Sequence, residues 1–249
     1  MPVIEVDGLP TYYAERGSGP PLILLHGAAM VVEGWEAQID VLSSRYLVLA
    51  PERRGVGRTP DREGPWTYEG MADDTAGFME ALGLQRSFVV GLSDGGNIGL
   101  ILASRRPDLV AKLAVSGANS NADGLGEFKD AVIAMSPDDL LAGAPPEVQD
   151  WLAIHRRVAP DGGESLLESF RKMQRMWLEY EIPSADLASI ARPTLIMAGD
   201  QDLIPISHTI DIWSAIPGAQ LCIVPGADHF WMQTLPDIAN AVLTRFFFG

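Results

Sequence analysis

The segment Gly91-Leu92-Ser93-Asp94-Gly95-Gly96 joins an apolar run, Ser87 to Val90, to the helix-like stretch Asn97-Ile98-Gly99-Leu100-Ile101-Leu102-Ala103. A serine carried on so tight a strand-to-helix turn crowds its neighbours. The positions two before and two after it must then be nearly free of side chain, and Gly91 and Gly95 meet that need. The turn lifts the Ser93 hydroxyl above a sheet, and the following helix aims its first amides at any developing anion. A glycine-rich turn with an incidental serine is the plain alternative. The strand-turn-helix context favours a nucleophile.

Other short apolar runs recur at Val3–Val6, Thr11–Glu15, Leu22–Leu25, Tyr46–Ala50, Lys112–Val115, Thr194–Ala198 and Gln220–Val224, about eight strands in all. The first two flank the turn-forming Asp7-Gly8-Leu9-Pro10 and read as an antiparallel hairpin. The later spacings accommodate crossover helices, and Leu22–Leu25, Phe88–Val90 and Leu195–Met197 lack alternation, as strands covered on both faces do. The expected fold is α/β, with an eight-stranded, mostly parallel sheet between helices.

Between residues 120 and 190 β-like runs disappear and helix-like patterns follow one another, broken at Ser136-Pro137, Gly143-Ala144-Pro145-Pro146 and Pro160-Asp161-Gly162-Gly163. Leu166, Phe170, Met173, Trp177 and Tyr180 form one helical stripe; Val148, Trp151, Leu152 and His155 form a weaker one. The expected organisation is a core of residues 1–119 and 191–249 with a helical cap inserted at 120–190. Trp151 and Trp177 are candidate pocket residues, although packing within the insertion explains both stripes equally well.

A serine hydroxyl needs a base, and the base a carboxylate to orient it. Of four histidines, His229 follows the last strand and so shares the carboxyl edge of the sheet with Ser93; Phe230 beside it is a further pocket candidate. His26 lies in a loop after the third strand, where bracing is its expected role, while His155 falls in the insertion and His208 on an amphipathic segment. For the acid, Gly199-Asp200-Gln201-Asp202 offers two carboxylates between which spacing does not choose. The backbone amides of Ala28 and Asp94 are the candidate oxyanion donors.

In order and spacing, His26-Gly27, Pro51 to Gly57, the Ser93 turn, Gly199 to Asp202 and Gly226 to His229 resemble the α/β-hydrolase fold superfamily over nearly the whole chain. The acid loop of that family reads Gly-x-x-Asp before a hydrophobic-Pro stretch, which matches Gly199, Asp202 and Pro205 and so implies Asp202 as the acid. One departure is Glu52, where the family carries Asp; a change of packing around a structural turn is expected. The Ser93 turn, with Pro107, Lys112 and Gly117-Ala118-Asn119, looks closest to biphenyl-hydrolase-like proteins, which include amino-acid ester hydrolases. That resemblance makes Asp94 a candidate for binding a substrate amine and Asn119 a pocket candidate. The alternative for Asp94 is a side chain turned aside onto its neighbours.

Charge and composition set the remaining limits. Lys+Arg total 18 against Asp+Glu 33, a net charge of −15 that disfavours nucleic acid and anionic lipid surfaces. The single cysteine, Cys222, excludes an internal disulfide and a cysteine-based zinc site. Without a membrane-length apolar run or a leader-like N-terminus, the expectation is a cytoplasmic monomer or homodimer. It would need no metal or cofactor and would hydrolyse a small ester, lactone or related acyl compound. Perhydrolysis or carbon-carbon bond hydrolysis with the same residues is the enzymatic alternative, and a ligand receptor the non-enzymatic one.

Overall fold

The runs without polar alternation lie at the centre of one sheet. In a computed structural model, which describes residues 2–248, its eight strands are β1 (Val3–Val6), β2 (Leu9–Gly17), β3 (Pro21–Leu25), β4 (Leu47–Pro51), β5 (Ser87–Leu92), β6 (Val110–Ser116), β7 (Thr194–Gly199) and β8 (Gln220–Val224). Their spatial order is β1-β2-β4-β3-β5-β6-β7-β8. β1 and β2 form the expected hairpin, β2 also runs antiparallel to β4, and every later pairing is parallel. β2 exceeds the expected Thr11–Glu15 because Tyr13 to Gly17 pair in register with Pro51 to Leu47, partners that local pattern does not reveal.

Helices α1 (Glu36–Leu42), α2 (Tyr68–Ala81) and α3 (Asp94–Arg105) connect the first six strands. After β6 come α4 (Phe128–Ala134), α5 (Pro137–Ala142), α6 (Pro146–Val158), α7 (Leu166–Glu179) and α8 (Ser184–Ser189). The last part carries α9 (Ile206–Ala215), α10 (Trp231–Thr234) and α11 (Pro236–Phe248). The Pro and Gly clusters fall at the joints of the helical segment: Ser136 caps α5 through the Asp139 amide, with Pro137 in its first turn. Leu166, Phe170, Met173 and Trp177 form the buried face of α7, whereas Tyr180 lies just past its end in extended backbone.

The helical segment leaves and rejoins the core at one place. The Ile182 amide donates to the Ser120 carbonyl at 2.6 Å, and Asn121 forms a β-bridge with Glu181. Beyond Ile182, α8 packs on α3 and α9. The loops after β3, β5, β7 and β8 therefore emerge at one carboxyl edge of the sheet, and the helical segment lies over it. Among the described residues, no helix is long and apolar enough to cross a membrane.

Candidate active site

Ser93 is the one residue between the end of β5 and the start of α3, with φ 54° and ψ −120°. A side-chain-bearing residue held there costs about 1–3 kcal/mol, so its surroundings must over-determine it. They do so through hydrogen bonds. The Ser93 amide donates to the Ser116 carbonyl at 2.8 Å, and its carbonyl accepts from the Gly96 and Asn97 amides. A Cβ on Gly91 would collide with the Gly95 carbonyl and one on Gly95 with the Leu25 carbonyl, so the two flanking glycines are steric requirements of this turn.

His229 follows β8 and Asp202 follows β7. His229 Nδ1 lies 2.6 Å from Asp202 Oδ1, which also accepts the Ile204 amide at 2.9 Å. The Asp202 side chain is fully buried. Asp200 instead accepts the Gly226 amide at 2.6 Å and braces the adjoining turn. With Nδ1 facing the carboxylate, Nε2 is the imidazole nitrogen left to accept a proton.

Asp94 departs from the amine-binding expectation. Its buried carboxylate accepts the Tyr68 hydroxyl at 2.6 Å and the Trp177 indole N–H at 3.0 Å on Oδ1. On Oδ2 it accepts Arg53 Nη1 at 3.2 Å and Nη2 at 3.3 Å. A charge so neutralised and hydrogen-bonded is not a free anion for an ammonium group. Burial first, and the Asp94 charge second, push the Tyr68 phenol well above its ordinary pKa, which keeps it a donor. Arg53 and Tyr68 have no spacing signal in the sequence that marks them as neighbours of Asp94.

His26 is fully buried, and desolvation together with the Arg53 charge holds its pKa well below the usual value. The neutral ring accepts the Arg53 amide at Nε2 (3.0 Å) and donates from Nδ1 to the Gly27 carbonyl (2.9 Å), the bracing arrangement expected of it. Glu52 is also buried, accepting the Arg58 amide at 2.6 Å and Arg58 Nη1 at 2.8 Å; desolvation nevertheless raises its pKa to about 7. Opposite, the Gly57 amide donates to His155 Nδ1 of α6 at 2.9 Å, tying the helical segment to the core. His208 accepts the Ser120 amide at 2.9 Å.

Ser93 and His229 open into one cavity of about 410 Å³, whose walls include Ala28, Asp94, Asn119, Trp151, Trp177 and Phe230. Leu140, Val148 and Phe170 of the helical segment complete an apolar lining, and among the described residues no lysine or arginine reaches it. Trp151 meets Phe230 edge to face at 5.8 Å between ring centroids. Asn119 is fixed: its amide nitrogen donates to the Asn121 carbonyl and its oxygen accepts from Asn97. A hydroxyl that shares one apolar cavity with a carboxylate-bound imidazole provides the groups that nucleophilic acyl chemistry uses.

A family model described as "alpha/beta hydrolase fold" matches residues 20–182. The chain belongs to the α/β-hydrolase fold family. Among its α/β-hydrolase relatives, "Putative carbamate hydrolase RutD" of Caulobacter sp. strain K31 is 33% identical, over 98% of this chain and 97% of the relative. The "2-hydroxy-6-oxo-2,4-heptadienoate hydrolase" of Pseudomonas putida F1 is 30% identical, over 93% of this chain and 90% of its own length. In fold, the chain is similar to the meta-cleavage product hydrolase CumD of Pseudomonas fluorescens IP01, with a TM-score of 0.84 at 23% identity, covering 99% and 97% of the two chains.

Proposed function

We propose that this α/β-hydrolase cleaves small, uncharged carboxylic esters or lactones through an acyl-enzyme on Ser93, with the segment between Ser120 and Ile182 acting as a cap that bounds the substrate, shorter than the expected 120–190 because α8 packs on α3 and α9. The observation that supports this reading best is the opening of Ser93 and the Asp202-bound His229 into a single apolar cavity. As Ser93 Oγ bonds to the acyl carbon, its proton passes to His229 Nε2; as the acyl–oxygen bond breaks, that proton goes to the departing alkoxide. Water then repeats the sequence in reverse and frees the acid. Asp202 holds the imidazole tautomer, and the amides of Ala28 and Asp94 hold the oxyanion. As the first residue of α3, Asp94 has an amide with no intrahelical acceptor.

The volume suits a small ligand. A carboxylate buried among these walls would face no cation, which separates uncharged acyl compounds from a heptadienoate of the kind named for the P. putida relative. Carbon-carbon bond hydrolysis is therefore the second reading, favoured by that relative and by a second one named as a 2-hydroxymuconate semialdehyde hydrolase.

The test is paired. A fluorophosphonate probe is expected to label the wild type and not Ser93→Ala, and the wild type is expected to hydrolyse p-nitrophenyl esters and γ-lactones faster than an anionic dienoate. Equal labelling of both proteins refutes the serine mechanism; preference for the dienoate refutes the substrate class.

A further inference from the structure

Arg53 is buried close to the catalytic floor, with its side chain 7% exposed. Its guanidinium makes four contacts. Nη1 reaches Asp94 Oδ2 at 3.2 Å and Met71 Sδ at 3.7 Å; Nη2 reaches Asp94 Oδ2 at 3.3 Å and the Gly27 carbonyl at 3.0 Å. Its backbone amide holds His26, whose Nδ1–H is the second donor to the same Gly27 carbonyl.

The two acceptors of this one fork belong to the two proposed oxyanion donors. The Gly27 carbonyl and the Ala28 N–H are opposite ends of one peptide group. Because a trans peptide is planar, fixing the oxygen on Arg53 and His26 turns the N–H to the other side. Asp94 is the residue whose own amide is the second donor, and its carboxylate is anchored on the same guanidinium. Arg53 also answers an electrostatic difficulty. A carboxylate one residue after the nucleophile opposes a developing oxyanion, and a cation about 3 Å from that carboxylate cancels most of the opposition.

We infer that Arg53 is the positioning residue of the oxyanion hole, setting both donor amides and neutralising Asp94 while touching no substrate atom. The inference rests on the serine-hydrolase reading above. It assigns Arg53 to the transition state, because the oxyanion and not the ground-state carbonyl uses both amides fully. Loss of Arg53 therefore lowers kcat and leaves KM nearly unchanged.

Two variants test it. Arg53→Met together with Asp94→Asn removes both buried charges, so no carboxylate is left unpaired, but the Gly27 carbonyl loses the guanidinium and keeps only His26 as donor. Arg53→Lys keeps the cation and lacks the planar fork. Rates are normalised to the sites titrated by the fluorophosphonate probe, so misfolded protein does not count. Expected are a fall in kcat per labelled site of about 30-fold or more for the double variant and about tenfold for Arg53→Lys, with KM within about twofold. Affinity for a boronic acid, a tetrahedral mimic, should fall by the same factor as kcat/KM, while affinity for the product acid stays constant.

The inference is overturned if kcat per labelled site stays within about threefold of the wild type in both variants, or if the loss lies in KM. If the double variant does not fold, Arg53→Lys decides by the same criteria. A wild type that the probe does not label overturns the serine reading itself, and the role of Arg53 with it.

Discussion

Gly117 lies behind His229 and Asp202, the proposed catalytic pair, and replacing it by alanine isolates how tightly that pair is held. Its φ is +59°, and an added Cβ would stand 2.7 Å from His229 Cε1, 2.9 Å from Nδ1 and 3.3 Å from Asp202 Oδ2. Carbon contacts are comfortable near 3.5 Å, so the imidazole must move by roughly 0.8 Å. The left-handed backbone costs alanine about 1–2 kcal/mol and the overpacking about 1–3 kcal/mol. The expected melting temperature is lower by about 4–20 °C for a chain of this size. A displacement of this order in a positioned base lowers kcat/KM by roughly 100-fold. Gly83→Ala is the control, since Gly83 has φ +70° with nothing within 4 Å of an added Cβ; it should lose only the backbone portion and keep full activity. Calorimetry and ester kinetics on the three proteins check both parts. If Gly117→Ala keeps kcat/KM within about threefold of the wild type, the reasoning fails, because the His229–Asp202 contact would then tolerate a shift this large.

Asp202→Asn should reduce kcat by about 10³–10⁴-fold with little change in KM, as the imidazole loses its tautomer; stopped-flow ester hydrolysis measures it. Glu52 makes stability fall with rising pH. Its pKa, raised from 4.5 to about 7 on folding, gives a contribution fully present below about pH 4.5 and lost as pH passes 7, at most about 3 kcal/mol. Urea unfolding of the wild type and Glu52→Gln at pH 5 and pH 8 should show this decline in the wild type only. His155→Phe strands the buried Gly57 amide and should cost about 1–3 kcal/mol, with faster hydrogen exchange in α6 than in the central strands.

The parts of the site that sequence displays are those with a local steric or positional cause. Gly91 and Gly95 advertise the Ser93 turn because only glycine fits there, and apolar runs without alternation advertise covered strands. Asp200 and Asp202 are two residues apart, and only the tertiary path of the loop sends one to Gly226 and the other to His229. The fate of Asp94 is illegible for a stronger reason. Arg53, Tyr68 and Trp177 lie 41, 26 and 83 residues away, in the loop after β4, on α2 and on α7, and no period or spacing marks a contact assembled by the fold. The Trp177 stripe was equally consistent with self-packing, whereas in the structure the same indole lines the cavity and bonds to the core.

That indole bears on how far the architecture is modular. The segment between Ser120 and Ile182 enters and leaves through one narrow doorway, which makes it a natural unit for exchange with a foreign insertion in a chimera. Yet one of its tryptophans supplies a hydrogen bond to Asp94, the residue beside Ser93. A graft that lacks an equivalent donor leaves Asp94 short of a partner, so exchanging this segment means redesigning position 94 in the same step.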